Sequence, residues 1–389
     1  MTPARAALFL LPVIYLGFIS LGLPDGTLGV AWPRMHRDLA LPIGIAGAVI
    51  VVGTVLSAAA AFSSGKILAR FKTGPVVLVS CALTGSGMLI VSQSHGLAWL
   101  LAAAIPLGLG AGAVDASLNG YVARHYRGRH MNWLHACWGI GATCGPLVMA
   151  RMLGSASGWR DGYFAIGTAQ LSLAAIFLFT LPLWDKVPER TPSDAEGNGP
   201  TKVPTTAANS PAGWLSAAIF VIYVSVETTA GLWAGSILVI SRGIAPESAA
   251  MCVAAYYGSI TGGRIVFGWV VEHWGNRRLI NFGTALAFVG AVVFAFANTP
   301  AIAAIGLVLL GLGFAPVYPC LMHEVPRRFA PEAVQVVIGR QSGAAAIGAA
   351  SLPAAAGWLA GLSLESIVWT VIAGVVGLML ATRKLNRIT

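Results

Sequence analysis

Apolar stretches of about 20 residues, long enough to cross a bilayer as a helix, recur twelve times along the chain. That repetition leaves few folds open. The stretches run roughly over 6–32, 43–63, 74–93, 97–123, 131–153, 160–183, 212–240, 249–271, 278–298, 300–323, 334–358 and 363–382. Each is expected to be helical, because an unpaired sheet edge cannot exist in lipid. A water-soluble globule fails on composition. Only 10% of the 389 residues are charged and 57% are hydrophobic, whereas an average soluble domain carries about 25% charged residues. The net charge of +10 therefore does not call for nucleic acid as a partner. Membrane proteins collect Lys and Arg in loops on one side. The first stretch lacks a small-residue cleavage site followed by a polar domain, so it reads as a retained helix.

Alternate loops and termini hold seventeen basic residues on one side and five on the other. This predicts that both termini face the cytoplasm, in what is expected to be a bacterial inner membrane. Arg264 and Arg340 lie within spans and belong to neither set. The five cysteines all fall inside spans, without metal-ligand spacing, and read as small apolar core residues. No metal is expected.

Residues 184–211 are rich in Pro, Thr, Asn and Asp and lack apolar periodicity. They read as a flexible linker between six-helix bundles at 1–183 and 212–389. The halves repeat at a constant displacement of 203 residues. Gly108-Leu109-Gly110 recurs as Gly311-Leu312-Gly313, and Gly65 as Gly268. Duplication of this kind is the architecture of secondary transporters.

After span eight the chain reads Gly268-Trp-Val-Val-Glu272-His-Trp-Gly275-Asn-Arg277-Arg278. This resembles the gating signature of the major facilitator superfamily, with Glu in place of Asp. The glycines permit a tight turn, and the carboxylate can pair with arginines or cap a helix. The first-half copy is degraded, with Ala69 at the acid position and Lys72 at the second glycine.

A finer resemblance is to the fucose permease group of fucose, galactose and glucose:proton symporters. It is carried by Leu23-Pro24-Asp25-Gly26 through Trp32-Pro33, by Gly108 through Asp115 and Asn119, by Asn132 through His135 and Trp138 to Gly145-Pro146, by Tyr223 to Glu227, and by Tyr318-Pro319. The resemblance implies an all-α membrane protein of twelve helices in two halves. It also implies an acid in span one and another in span four that carry the coupling proton, matched here by Asp25 and Asp115.

Three carboxylates lie inside spans: Asp25, Asp115 and Glu227. Each costs about 2.5–3.5 kcal/mol at a helix centre on insertion scales, so each is expected to face a cavity or a partner. Asp115 reads either as a proton relay or as a structural partner of Arg264 or Arg340. Asp25 sits beside Pro24 and Gly26, which break helical regularity. Freed carbonyls there leave sodium open as the coupling ion, although a proton is preferred. Glu227 reads as a hydrogen-bond acceptor for substrate or as an interhelical bond.

Asn132 and His135 share a helix face, extended by Trp138. Together with Asn119 and Gln341 they could bond hydroxyl groups. Trp233, Tyr256 and Tyr318 would supply aromatic surface; of Tyr256 and its neighbour Tyr257, only one can face inward. Ordinary packing remains open for each. The glycine-rich runs of spans four and five lack a preceding strand and read as helix contacts. No phosphate-binding Gly-x-x-x-x-Gly-Lys loop, His-Glu-x-x-His pair or Gly-x-Ser-x-Gly elbow occurs.

The sequence therefore predicts a monomeric secondary transporter without cofactor, taking up a small polyhydroxylated solute, a monosaccharide, with a proton. One rival is a proton-coupled drug or metabolite exporter, supported by Gly141-x-x-x-Gly145-Pro146 but not by the residues that follow. Another is a membrane-embedded enzyme built on Asp115 or His135, for which no nucleophile constellation exists.

Overall fold

Pro24 and Gly26 end the first helix where the sequence expects a break. In the computed structural model, which describes residues 2–42, 45–190, 205–360 and 363–389, span one is α1 (Pro3–Gly22) and α2 (Thr27–Asp38). The turn between them needs Gly26 at φ +76°. The next five spans are α3 (Ile45–Phe71), α4 (Thr73–Ser92), α5 (Leu97–His125), α6 (Gly128–Met152) and α7 (Trp159–Trp184). After the linker come α8 (Pro211–Ser236), closed by a π-helical turn over Ile237–Ser241, α9 (Pro246–Trp274) and α10 (Asn276–Ala295). Span ten, read in sequence as continuous, is divided into α11 (Pro300–Phe314) and α12 (Val317–His323). Pro316 and Pro319 lack the N–H groups that would carry the ladder through. The short α13 (Val325–Arg328), then α14 (Pro331–Ala360) and α15 (Glu365–Ile388), complete the chain.

Among the described residues, nine helices are long and apolar enough to cross a membrane by length and composition. The other three helices, α6, α9 and α14, are 25, 29 and 30 residues long and carry the polar groups expected of a transport site. Side chains such as Phe9, Phe179, Ile240 and Leu380 are apolar and exposed, as a lipid-facing surface requires.

Residue contacts sort the chain into two units, and the division does not follow sequence order. Met1–Tyr121 and Leu134–Glu189 form one; Val122–Trp133 and Arg190–Thr389 form the other. In the first unit α4 lies along α7, which also touches α1 and α2. Gln170 on α7 accepts from the Ser20 and Thr84 hydroxyls at 2.5 and 3.1 Å and donates to the Ser20 carbonyl at 2.8 Å. In the second unit α8 packs on α14, α15 and α9, and α10 packs on α11, α12 and α15.

The duplication is visible in backbone contacts. A Cβ on Gly108 would strike the Gly53 carbonyl, and one on Gly311 the Tyr256 carbonyl. A Cβ on Gly110 would meet the Ser80 carbonyl and Thr84 nitrogen, and one on Gly313 the Gly283 carbonyl and Ala287 nitrogen. Every partner is displaced by the same 203 positions as the glycines. In each unit these glycines let helices cross backbone on backbone.

Candidate functional site

The first unit gathers two carboxylates. α1 meets α6 without intervening side chains, since a Cβ on Gly141 or Gly145 would strike the Ile19 or Leu23 carbonyl. That seam brings Trp138 to the break after α1, where its indole Nε1 donates to Asp25 Oδ2 at 2.9 Å. Asp25 remains accessible, whereas Asp115 on α5 is half-buried. The two acids are close enough to feel each other's charge.

Asp115 is held from its own helix. Asn119, one turn on and fully buried, donates through Nδ2 to Asp115 Oδ1 at 2.9 Å and to its carbonyl at 3.0 Å. The Asn119 oxygen is left to accept, so the 3.1 Å contact with His135 Nε2 requires the proton on that nitrogen. The result is a directed chain, His135 to Asn119 to Asp115. The Phe18 ring stands edge-on to the imidazole at 5.3 Å.

Asn132 lies elsewhere. It is fully buried, donates to the Gly128 carbonyl at 3.2 Å and approaches Cys320 Sγ at 3.9 Å. Helical spacing placed it with His135, but contacts group it with the second unit.

The second unit holds its own polar centre on α8 and α9. Glu227 Oε1 stands 3.8 Å from Arg264 Nη2, with side-chain exposures of 15% and 4%. Tyr223, one turn before Glu227, touches both groups, and its hydroxyl donates to the Phe314 carbonyl at 3.1 Å where α11 ends. Tyr256 is buried and donates to the Glu227 carbonyl at 2.8 Å, while Tyr257 is 48% exposed. Only one of this pair faces inward, as expected. Gly231 makes room for both rings. Gln341, buried on α14, donates to Ser216 at 2.6 Å. Trp233 and Tyr318 are half-buried; the former donates to the Pro353 carbonyl at 3.2 Å, the latter stacks edge-on with Phe220 and Tyr223. Arg340, weighed as a partner for Asp115, donates to Ala208 and Asn209 and lies over Trp214.

The glycine–acid–arginine motif forms a third cluster. Gly275 caps α9 at φ +76°, and Gly268 lies against the Trp133 indole. Glu272 pairs with Arg129 at 3.1 Å and Arg127 at 3.9 Å. These are charge contacts rather than aligned hydrogen bonds, since Glu272 Oε1 has no hydrogen-bond partner among the described residues. Arg277 instead reaches Glu324 at 2.7 Å, and Arg278 is exposed.

Glu324 was not flagged by sequence. It lies in no span pattern and acquires meaning only beside Asn276, Arg277 and Arg327. Burial pushes its carboxyl up, but the guanidinium groups of Arg328, Arg327 and Arg277 outweigh burial and hold it below the ordinary range. His130 is pushed down to about 4, first by burial and then by Arg129, His323, Arg127 and Arg190. His130 shares a basic cavity of about 460 Å³ with His125, Tyr126, Arg127, Arg129 and Arg190.

Comparison with known proteins agrees with this architecture. The family model described as Major Facilitator Superfamily matches residues 14–323 and 215–386. The niacin transporter NiaP of Acinetobacter baylyi is 28% identical over 187 residues, which cover 47% of this chain and 41% of NiaP, so the alignment spans about two-fifths of that relative. Among solved structures, the fucose:proton symporter FucP of E. coli superposes with a TM-score of 0.73 at 12% identity, covering 98% of this chain and 99% of FucP. The human organic anion transporter MFSD10 superposes with a TM-score of 0.73 at 15% identity, covering 98% and 100%. At such identities the structures share the fold.

Proposed function

We propose a solute class and a coupling ion for this chain, which belongs to the major facilitator superfamily and is a multi-pass membrane transporter rather than an enzyme. The solute is small and polyhydroxylated, a monosaccharide or close derivative, and it enters together with a proton. The observation that carries this reading is the pair of acids in the first unit. Asp25 and Asp115 each accept a hydrogen bond from a neutral donor, Trp138 and Asn119 respectively. A pair of carboxylates bonded by neutral donors suits groups that take up and release a proton. The sugar:proton symporters FucP and XylE share the fold.

A proton is favoured over sodium by the turn at 23–26. The carbonyls released at the break already accept hydrogen bonds, Gly22 from the Asp25 N–H at 3.0 Å and Pro24 from the Thr27 hydroxyl at 2.6 Å. In the second unit half-buried Trp233, Tyr318 and Glu227 are candidates for contact with the solute, and in the first unit half-buried Trp138. Buried Tyr256 fixes the backbone at Glu227, Asn119 and His135 hold Asp115, and buried Asn132 and Gln341 bond Gly128 and Ser216. The glycine–acid–arginine cluster from Gly268 to Arg278 acts as a gate. The chain works as a monomer without cofactor, both termini in the cytoplasm of a bacterial cell.

Proteoliposomes under an imposed pH gradient, free of sodium, test the reading with a panel of radiolabelled monosaccharides. Wild-type protein should concentrate at least one of them. Asp115→Asn should still bind that sugar yet fail to accumulate it. Strict sodium dependence, or accumulation by Asp115→Asn equal to wild type, would refute the coupling assignment.

A further inference from the structure

The turn between α5 and α6 surrounds a basic recess that the solute reading does not use. Its walls are His125, Tyr126, Arg127, Arg129, His130 and Arg190, around a volume of about 460 Å³. Small-ligand sites span about 300–1,000 Å³. All six residues belong to the second unit. The recess is held in shape by its own bonds. Arg190, beyond α7 in the chain, donates its N–H to the Arg124 carbonyl at 2.9 Å and its Nη1 to the Tyr126 carbonyl at 3.3 Å. Arg129 Nε donates to His130 Nε2 at 3.3 Å, which requires that ring nitrogen to be without a proton. Glu272 stands behind Arg129 and Arg127 at 3.1 and 3.9 Å.

Three guanidinium groups, two imidazoles and a phenol thus converge on one volume. No carboxylate stands among the described residues of its wall. The groups that push His130 down after burial are Arg129, His323, Arg127 and Arg190, all of them basic, as a positive potential in the recess requires. Beside it lies a surface suited to the edge of a membrane. The Arg129 guanidinium lies 5.8 Å from the centre of the Trp133 ring, and the His130 ring meets that indole edge-on at 5.6 Å. Trp133 meets Trp269 at 5.1 Å. Trp269 and Trp274, in the last turns of α9, are 61% and 47% exposed. Exposed tryptophans collect where hydrocarbon gives way to headgroups, so an anion in the recess would lie at headgroup depth.

We propose that this recess binds the phosphate of an anionic phospholipid in the adjoining leaflet, of the phosphatidylglycerol class. Guanidinium forks match phosphate oxygens in pairs, and basic recesses at the ends of membrane helices take such headgroups. A zwitterionic phosphatidylcholine brings a quaternary ammonium that the same positive field repels. The bound phosphate would offset the mutual repulsion of Arg127, Arg129 and Arg190 and hold the turn between α5 and α6 in its place. This site is independent of the solute and of the coupling ion.

Calorimetry on the purified full-length protein in a neutral detergent, at one salt concentration, tests this with dihexanoyl phosphatidylglycerol, dihexanoyl phosphatidylcholine and inorganic phosphate. Wild type should bind the phosphatidylglycerol at least about tenfold more tightly than either of the others. Arg127→Gln/Arg190→Gln should lower that affinity about tenfold or more. Arg383→Gln/Lys384→Gln removes the same charge from exposed positions on α15 and should change it less than about threefold. If the first double variant does not fold, Arg190→Gln alone should lower the affinity about threefold or more. Equal affinity for the two lipids overturns the proposal. Equal losses in the two double variants also overturn it, since they reduce the binding to general attraction by a basic surface. Inorganic phosphate bound as tightly as phosphatidylglycerol overturns the lipid as the source of the anion.

Discussion

Lys72 holds a backbone conformation that belongs to glycine. It precedes α4 at φ 53°, ψ 163°, and its counterpart 203 positions on, Gly275, precedes α10 at φ 76°, ψ 157°. A residue with a Cβ in this sparsely populated region costs about 1–3 kcal/mol. Replacing Lys72 with glycine releases that strain. Against it stand about 0.5–1 kcal/mol for the greater freedom of glycine in the unfolded chain and about 0–1 kcal/mol for the exposed Lys72–Asp185 pair, 2.7 Å apart. Lys72→Ala keeps the strain and loses the same pair, so the difference between the two variants isolates the backbone term. It should favour glycine by about 0.5–2 kcal/mol, whereas in an ordinary helix alanine wins. Gly275→Ala should lose a similar amount. The assay is thermal unfolding of detergent-purified protein followed by tryptophan fluorescence, at one scan rate because unfolding of such proteins is a kinetic measurement. An apparent midpoint for Lys72→Ala at or above that of Lys72→Gly would refute the argument from duplicated turn geometry.

Gly231→Val should crowd Tyr256 and Tyr257, lowering stability by about 1–3 kcal/mol; a transport assay at constant folded protein should show the solute affinity falling with it. His130 is neutral in the folded protein down to about pH 4, while the unfolded chain protonates near 6.5. Its contribution is therefore present above pH 6.5 and drains away as pH falls from 6.5 toward 4. The thermal midpoint should drop over that window, and His130→Gln should flatten the drop; an identical pH profile for the two proteins would remove His130 as its cause.

The helices were legible in sequence because lipid demands long apolar runs; most ends fall within three residues of the expected ones, while α2, α3 and α15 run six to eight residues further. The break at Pro24 and Gly26 was legible for the same local reason. The division of span ten was not read, although Pro316 and Pro319 carry the chemistry for it, because apolar periodicity runs through them unbroken. Pairings across helices were harder. α8 and α9 bring Arg264 to Glu227, and no spacing within either helix encodes that crossing. Asn132 and His135 lie three residues apart on α6 and still belong to different sets of contacts, since a one-helix argument does not know what covers each turn. Glu324 and Gln170 carry no signal in the sequence, since their meaning lies in the Arg277 and Asn276, and the Ser20 and Thr84, that the fold brings to them.

The seam between α1 and α6 behaves as a clamp with teeth. The Ile19 and Leu23 carbonyls rest on Gly141 and Gly145, one helical turn apart on both helices. A slide of less than a turn would drive a carbonyl into the Cβ of Ala142 or Cys144. A slide of a full turn would set Ile19 against Cys137. The two helices therefore move as one lever up to Leu23, where the clamp ends. Asp25 sits two residues beyond that fixed end, in the turn before α2, where the Trp138 indole donates to its carboxylate and its own N–H donates to the Gly22 carbonyl. The proton proposed for Asp25 would weaken the bond from Trp138 at that turn and free α2 to change its angle to α1.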